Sequence, residues 1–259
     1  MKVVILGTGN VATVVGKKIL ETGHEVIQVV GRNFGKADEL ASQLRCQSIY
    51  NPRYISLQGD IYIIAVSDKA ISAVASQLKL RDKVVVHTAA AVSKNVLAIS
   101  SENFGVIYPI QTLVKETNVL PPIPVLVDAN NEQTKKTLTA FASDWAENVR
   151  DANDEERIKQ HVAAIIANNF TNYLFSAVEQ YCKKEQLKFT VLIPLLEETV
   201  RRLKYQSPSS VQTGPARRED FETIEKHKKV LEGHPEISDL YNFFTNSIIN
   251  FYNKDKNLE

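Results

Sequence analysis

With 259 residues, 44% of them hydrophobic and 24% charged, the chain has an ordinary globular composition and room for one large domain or two smaller ones. A formal charge of +1 leaves no concentrated basic surface for nucleic acid, and no stretch reaches the roughly 18 to 20 apolar residues of a membrane span. Two distant cysteines, Cys46 and Cys182, and five scattered histidines argue against a disulfide framework or a zinc site; with no signal-peptide pattern at the start, the expectation is a soluble cytoplasmic protein without a bound metal.

The first half alternates short β-branched runs with helical segments, which predicts βαβ units and a parallel sheet. Lys2 to Leu6 is an unbroken apolar run suited to a central strand buried on both faces. A helix is expected from Asn10 to Thr22, stopping at Gly23, followed by a strand over Glu25 to Val30 and a helix over Gly35 to Arg45. Strands over Asp60 to Val66 and Lys83 to His87 flank a helix near Lys69 to Leu78. Weaker strands are expected at Gly105 to Tyr108 and Pro124 to Val127, with Pro121-Pro122 interrupting regular structure before the latter. A helix over Glu132 to Trp145 and a strand over Asn148 to Arg150 complete this part.

Past Asp151 the pattern turns helical: 154–185, Leu187 to Leu203, Phe221 to Leu231 and Ile237 to Tyr252, with a Ser/Pro/Gly-rich loop over Ser207 to Pro215. The chain therefore divides into an α/β domain, residues 1–151, and an all-helical domain, residues 152–259. The last helices carry Tyr241, Phe243, Phe244, Phe251 and Tyr252, more aromatic surface than a domain of this size covers alone, so a homodimer through the helical domain is expected.

The segment Gly7-Thr8-Gly9-Asn10-Val11-Ala12 fits G-x-G-x-x-G/A and sits between the first strand and the first helix. Gly7 permits the tight turn, Gly9 lets a pyrophosphate approach the backbone, and Ala12 allows the helix to pack closely on the sheet. The pyrophosphate would rest on the free N–H groups of the helix start. At the end of the second strand, where an NAD site carries an acid, this chain has Gly31-Arg32-Asn33 and then Lys36. Arg32 can pair with a 2′-phosphate that a carboxylate would repel, so NADP is the expected cofactor. Val66, Ser67 and Thr88 follow later strands on the carboxyl edge, where ligands bind in such sheets. His87 beside them is either a substrate or nicotinamide ligand or a satisfied polar cap on the strand end.

In the helical half, Arg157, His161, Asn168 and Asn172 merit a geometric check: His161 and Asn168 are seven residues apart, about 20° in azimuth on an ideal helix. That polar stripe faces either a cleft or solvent. Around the run from Gln212 to Asp220, Thr213, Arg217 and Asp220 either converge on a small polar ligand or leave Asp220 as a helix N-cap with the arginines exposed.

At these residues the chain resembles proteins in which a Rossmann-like domain precedes domain of unknown function 2520. The matching segments are Gly7 to Ala12, His87-Thr88-Ala89, Gly105 to Thr112, His161 to Phe170 and Gln212 to Asp220 with His227. That family is similar to pyrroline-5-carboxylate reductase, F420-dependent NADP oxidoreductase and the 6-phosphogluconate or 3-hydroxyacid dehydrogenases. The resemblance implies an α/β Rossmann domain followed by an all-α domain like the C-terminal one of 6-phosphogluconate dehydrogenase. It also implies NADP binding, dimerisation through the helices and an active site between the domains. One departure stands out: the 3-hydroxyacid dehydrogenases place a lysine one turn before an asparagine, and here Ala164 and Ile165 precede Asn168 and Asn169.

The leading expectation is an NADPH-dependent reductase of a small C=O or C=N substrate, the cofactor carrying the hydride. Imidazole, with an ordinary pKa near 6.5, suits the proton transfer, which makes His161 the first choice of general acid, ahead of His87 and Tyr108. Asn168 and Gln111 would orient substrate and Arg217 would hold a carboxylate. The rival readings are a non-catalytic NADPH sensor whose helices signal to a partner, and a deazaflavin bound beside NADP.

Overall fold

The computed structural model describes residues 1–117 and 119–256. Its first 151 residues form β1 (Lys2–Leu6), α1 (Asn10–Leu20), β2 (Glu25–Val30), α2 (Phe34–Leu44), β3 (Gln47–Ile49), β4 (Ile61–Ile64), α3 (Asp68–Ala75), β5 (Arg81–His87), β6 (Ser101–Pro109), β7 (Pro124–Ala129), α4 (Glu132–Ser143) and β8 (Asn148–Asp151). One eight-stranded sheet results, in the order β3-β2-β1-β4-β5-β6-β7-β8. Unbroken apolar runs sit at its centre because both faces are covered: Ile61, Tyr62, Ile63 and Ile64 of β4 are all buried. One face packs on α1, α2 and α4 through residues such as Val15, Leu40 and Phe141, and the other on α3 through Ile71 and Ala75.

The expected parallel sheet holds at every pairing but one. β6 and β7 are antiparallel, Ile107 opposite Val127. Parallel neighbours need a crossover, normally helical. The connection through Pro121-Pro122 supplies no α-helix among its described residues, so the chain turns back on itself. β3 is a strand the composition does not announce.

The helical part comprises α5 (Asp154–Ala164), a π-helical turn (Ile165–Phe170), α6 (Thr171–Lys184), α7 (Ile193–Arg202), α8 (Pro215–Arg218), α9 (Phe221–Val230) and α10 (Pro235–Lys256). A capping box starts α5: Asn153 accepts from the Glu156 N–H, and Glu156 accepts from the Asn153 N–H. The expected helix over 154–185 thus contains a stretch with i→i+5 bonding. The ideal-helix step expected to align His161 with Asn168 does not hold across that turn. Two compact units divide at Ile165/Ile166, so the element type changes near residue 151 and the packing partner changes later, after α5. No helix among the described residues is long and apolar enough to cross a membrane.

Candidate functional site

A cleft of about 660 Å³ opens along the carboxyl ends of β1, β2, β4 and β5. It lies where the strand order reverses on either side of β1, the place where open α/β sheets take ligands. Gly7, Thr8, Gly9, Asn10, Val11, Gly31, Arg32, Asn33, Lys36, Val66, Ser67 and Thr88 all line it. Ala12 is buried behind them in the core, the packing role its place in the motif assigns.

The two motif glycines differ in what they serve. Gly7 has φ +132°, donates to the Val30 carbonyl at 2.8 Å, and would carry a Cβ 2.0 Å from the Ala65 carbonyl oxygen. A side chain there collides with backbone. At Gly9 a Cβ would meet no described atom within 4 Å. The space beside Gly9 is open cleft, and α1 begins there with no acid in its first turn and no side-chain cap bond from Gly9. Its first N–H groups have no partner within the helix, which is the chemistry an anionic diphosphate needs. The residues fit a dinucleotide on this observation.

At the far end, Arg32 and Lys36 are exposed cations where β2 ends without an acid. Asn33 lines the cleft but its side chain caps α2, accepting from the Lys36 N–H at 3.0 Å. Sequence reasoning missed the opposing wall, Tyr50 and Pro52, which follows β3. Tyr50 is 65% exposed and meets Phe34 edge-to-face. A three-residue strand carries no periodicity from which to find it. The Gly31 N–H donates to the Ile49 carbonyl at 2.9 Å, fixing β3 and hence this wall.

Beyond Thr88, on the same sheet edge, the structure brings two of the candidate acids together. The Tyr108 hydroxyl, at the end of β6, lies 2.7 Å from Nδ1 of His161 on α5, with the rings edge-to-face. Burial and the charge of Asp68, the first residue of α3, hold the Tyr108 phenol above its ordinary value, so it stays protonated at neutral pH. β6 runs parallel to β5, so its carboxyl end, with Tyr108, lies on the same sheet edge as the cleft.

His87 is placed differently. It is 0% exposed, and its Nδ1 accepts the Ala89 N–H at 3.2 Å, so any ring proton sits on Nε2. Burial first, then the positive charge of Arg157, lowers its pKa to about 4, against opposing effects of the Ser93 carbonyl and Asp154. It is neutral at physiological pH.

Gln111 braces its own turn, donating to the Pro122 carbonyl and accepting from the Thr112 N–H. Asn168 and Arg217 belong to the second unit. Asn168 lies in the π-helical turn, and Arg217 stacks 4.2 Å from the centre of the Tyr252 ring. Asp220 caps α9, accepting from the Thr223 N–H and hydroxyl; these bonds hold its carboxyl below the usual range.

Residues 2–91 match the family described as NADP oxidoreductase, coenzyme F420-dependent, and residues 123–248 match domain of unknown function 2520. The "putative NADP oxidoreductase BF3122" of Bacteroides fragilis is 31% identical, with 96% of this chain and 98% of that one covered and a TM-score of 0.87. The chain belongs to this NADP oxidoreductase family. The fold is shared with protein TM1727 of Thermotoga maritima, at 19% identity, 98% and 99% coverage and TM-score 0.74, and with the 1-pyrroline-5-carboxylate reductase of Streptococcus pyogenes, at 15%, 96% and 98%, and 0.65. No curated protein matches by sequence.

Proposed function

We propose that the protein is an NADPH-dependent reductase of a small C=O or C=N substrate, with the Tyr108–His161 pair as its proton donor. The observation that carries this reading is the 2.7 Å contact between those two side chains on the sheet edge that also forms the cleft. Gly9 and the first N–H groups of α1 take the diphosphate, and Arg32 with Lys36 takes the 2′-phosphate. NADPH, when bound, supplies the hydride. Tyr108 gives its proton to the oxygen or nitrogen that hydride addition leaves negative, and His161, behind it, returns a proton to the phenolate through Nδ1–H as its Nε2 takes one up from solvent. The structural likeness to a protein named for reducing pyrroline carboxylate, a cyclic C=N compound, supports including imines among the substrates.

The domains serve as a nucleotide-binding part, residues 1–151, and a helical part, residues 152–259, that pairs with a second copy. Support for the pairing lies in the exposed apolar side chains of the helices, among them Leu195, Val200, Phe243 and Phe251.

A panel of imines, ketones and aldehydes, followed by NADPH oxidation and by NADPH and NADH binding, tests the reading. Tyr108→Phe and His161→Ala should each lower kcat by about a hundredfold or more, the usual share of a general acid, while NADPH affinity holds and exceeds that for NADH. Turnover unchanged in both variants overturns the assignment. NADPH binding without oxidation of the cofactor by any member of the panel favours the sensor role instead.

A further inference from the structure

Arg157 is sealed inside the first unit at 1% exposure. Burying a guanidinium is costly unless its donors are met. Its Nε donates to the Ala90 carbonyl at 3.1 Å, and its Nη2 to the Val92 carbonyl and to Asp154 Oδ1, both at 2.7 Å. Nη1 has no hydrogen-bond partner among the described residues and lies 3.9 Å from Asp128 Oδ2, which Lys94 Nζ holds at 2.7 Å. Burial pushes the Asp154 carboxyl up, but the Ser93 hydroxyl, the guanidinium and the Lys94 N–H outweigh it and keep the carboxyl below its usual range.

What the guanidinium joins is more telling than how well it is paired. The Ala90 and Val92 carbonyls lie on the loop that leaves β5 just after Thr88 of the cleft wall. Asp154 opens α5, Arg157 follows within its first turn, and His161 comes one turn later. Each residue step along an α-helix turns about 100° and rises about 1.5 Å. Clamping α5 at Arg157 therefore fixes both the azimuth and the height at which His161 meets Tyr108. We propose that Arg157 is a positioning residue whose buried guanidinium ties the loop after β5 to α5 and thereby sets the His161–Tyr108 hydrogen bond. Its importance for catalysis rests on the proton-donor role proposed above, whereas the hydrogen bond itself can be measured without any substrate.

The test uses the full chain with ring-¹⁵N NMR of the histidines, His161 being assigned by loss of its signals in His161→Ala. Tyr108→Phe supplies the shifts of a broken bond. Arg157→Gln should move the His161 shifts to that reference while NADPH still raises the unfolding temperature, since Gly7 to Val11 are untouched. Arg157→Lys keeps the charge but lacks the planar fork, and should recover part of the native shift. Native His161 shifts in folded Arg157→Gln overturn the proposal; if that variant does not fold, native shifts in Arg157→Lys overturn it. Loss of the bond in these variants alongside full turnover in Tyr108→Phe would leave the positioning claim intact and remove only the proton-donor reading.

Discussion

Met1–Ile165 and Ile166–Glu259 are both largely regular structure, yet they dispose of their apolar side chains differently. The first unit holds both apolar clusters, one on each face of its sheet. In the second, the buried apolar residues among those described are Cys182, Ala216, Ile224 and Leu231, while fifteen large apolar side chains stand exposed, against ten in the longer first unit. Burial of apolar area is the main favourable term in folding, and most of the buried apolar side chains among the described residues belong to the first unit. The same contrast separates the chemistry. Cleft, phenol and imidazole all belong to the first unit, so their geometry is set by its core.

The largest expected effect breaks that core at its link to the cleft. Gly7→Ala puts a Cβ onto the Ala65 carbonyl at a φ that L residues avoid, and should cost about 4 kcal/mol or more, enough to unfold the first unit. Gly9→Ala meets no described atom and should leave thermal stability within about 1 kcal/mol, yet lower NADPH affinity by tenfold or more. Denaturant unfolding and a nucleotide titration on the two variants read both halves. Equal stability losses would mean that Gly9 serves packing rather than ligand.

Next comes His87, whose lowered pKa makes the first unit sensitive to acid. In the unfolded chain an imidazole titrates near 6.5, and in the folded unit at about 4. The unfolded state therefore takes up the proton first as pH falls. The stabilisation is complete above about 6.5 and is lost progressively toward 4, up to about 3 kcal/mol. His87→Asn should flatten this limb of the stability–pH curve between those values. A limb of unchanged steepness would assign it to other groups.

Much of this was legible in the residues, and the exceptions have physical causes. Unbroken apolar runs announce β1, β4 and β5, and Gly7 to Ala12 announces the cleft, because both are written in adjacent residues. β3 is only Gln47-Ser48-Ile49, too short and too exposed to show a pattern, so Tyr50 went unnoticed with it. The π-helical turn is a change of hydrogen-bond register, which the side chains of 165–170 do not spell out. Tyr108 and His161 were both legible as acids, but their meeting depends on where α5 packs against β6, a contact across 53 positions. Arg157 is harder still, since arginine is almost never fully buried unless paired, and its partners are main-chain carbonyls of a distant loop.

The smallest effect sharpens the comparison most directly. Trp145 is the chain's one tryptophan and is buried in the first unit, so its fluorescence reports that unit's unfolding. If a second copy covers the helices, their loss of ellipticity should shift to lower temperature on dilution, with about 1.4 kcal/mol of stability lost per tenfold. The Trp145 transition should stay where it is. Phe243→Asp, at a side chain 65% exposed, should mimic dilution by lowering the helical transition alone and yielding monomer by light scattering. A helical transition that ignores both dilution and Phe243→Asp would mean that the second unit, like the first, is stable without a partner. If dilution instead moved the Trp145 signal along with the helices, the first unit would owe its stability to assembly, and the contrast between the two would vanish.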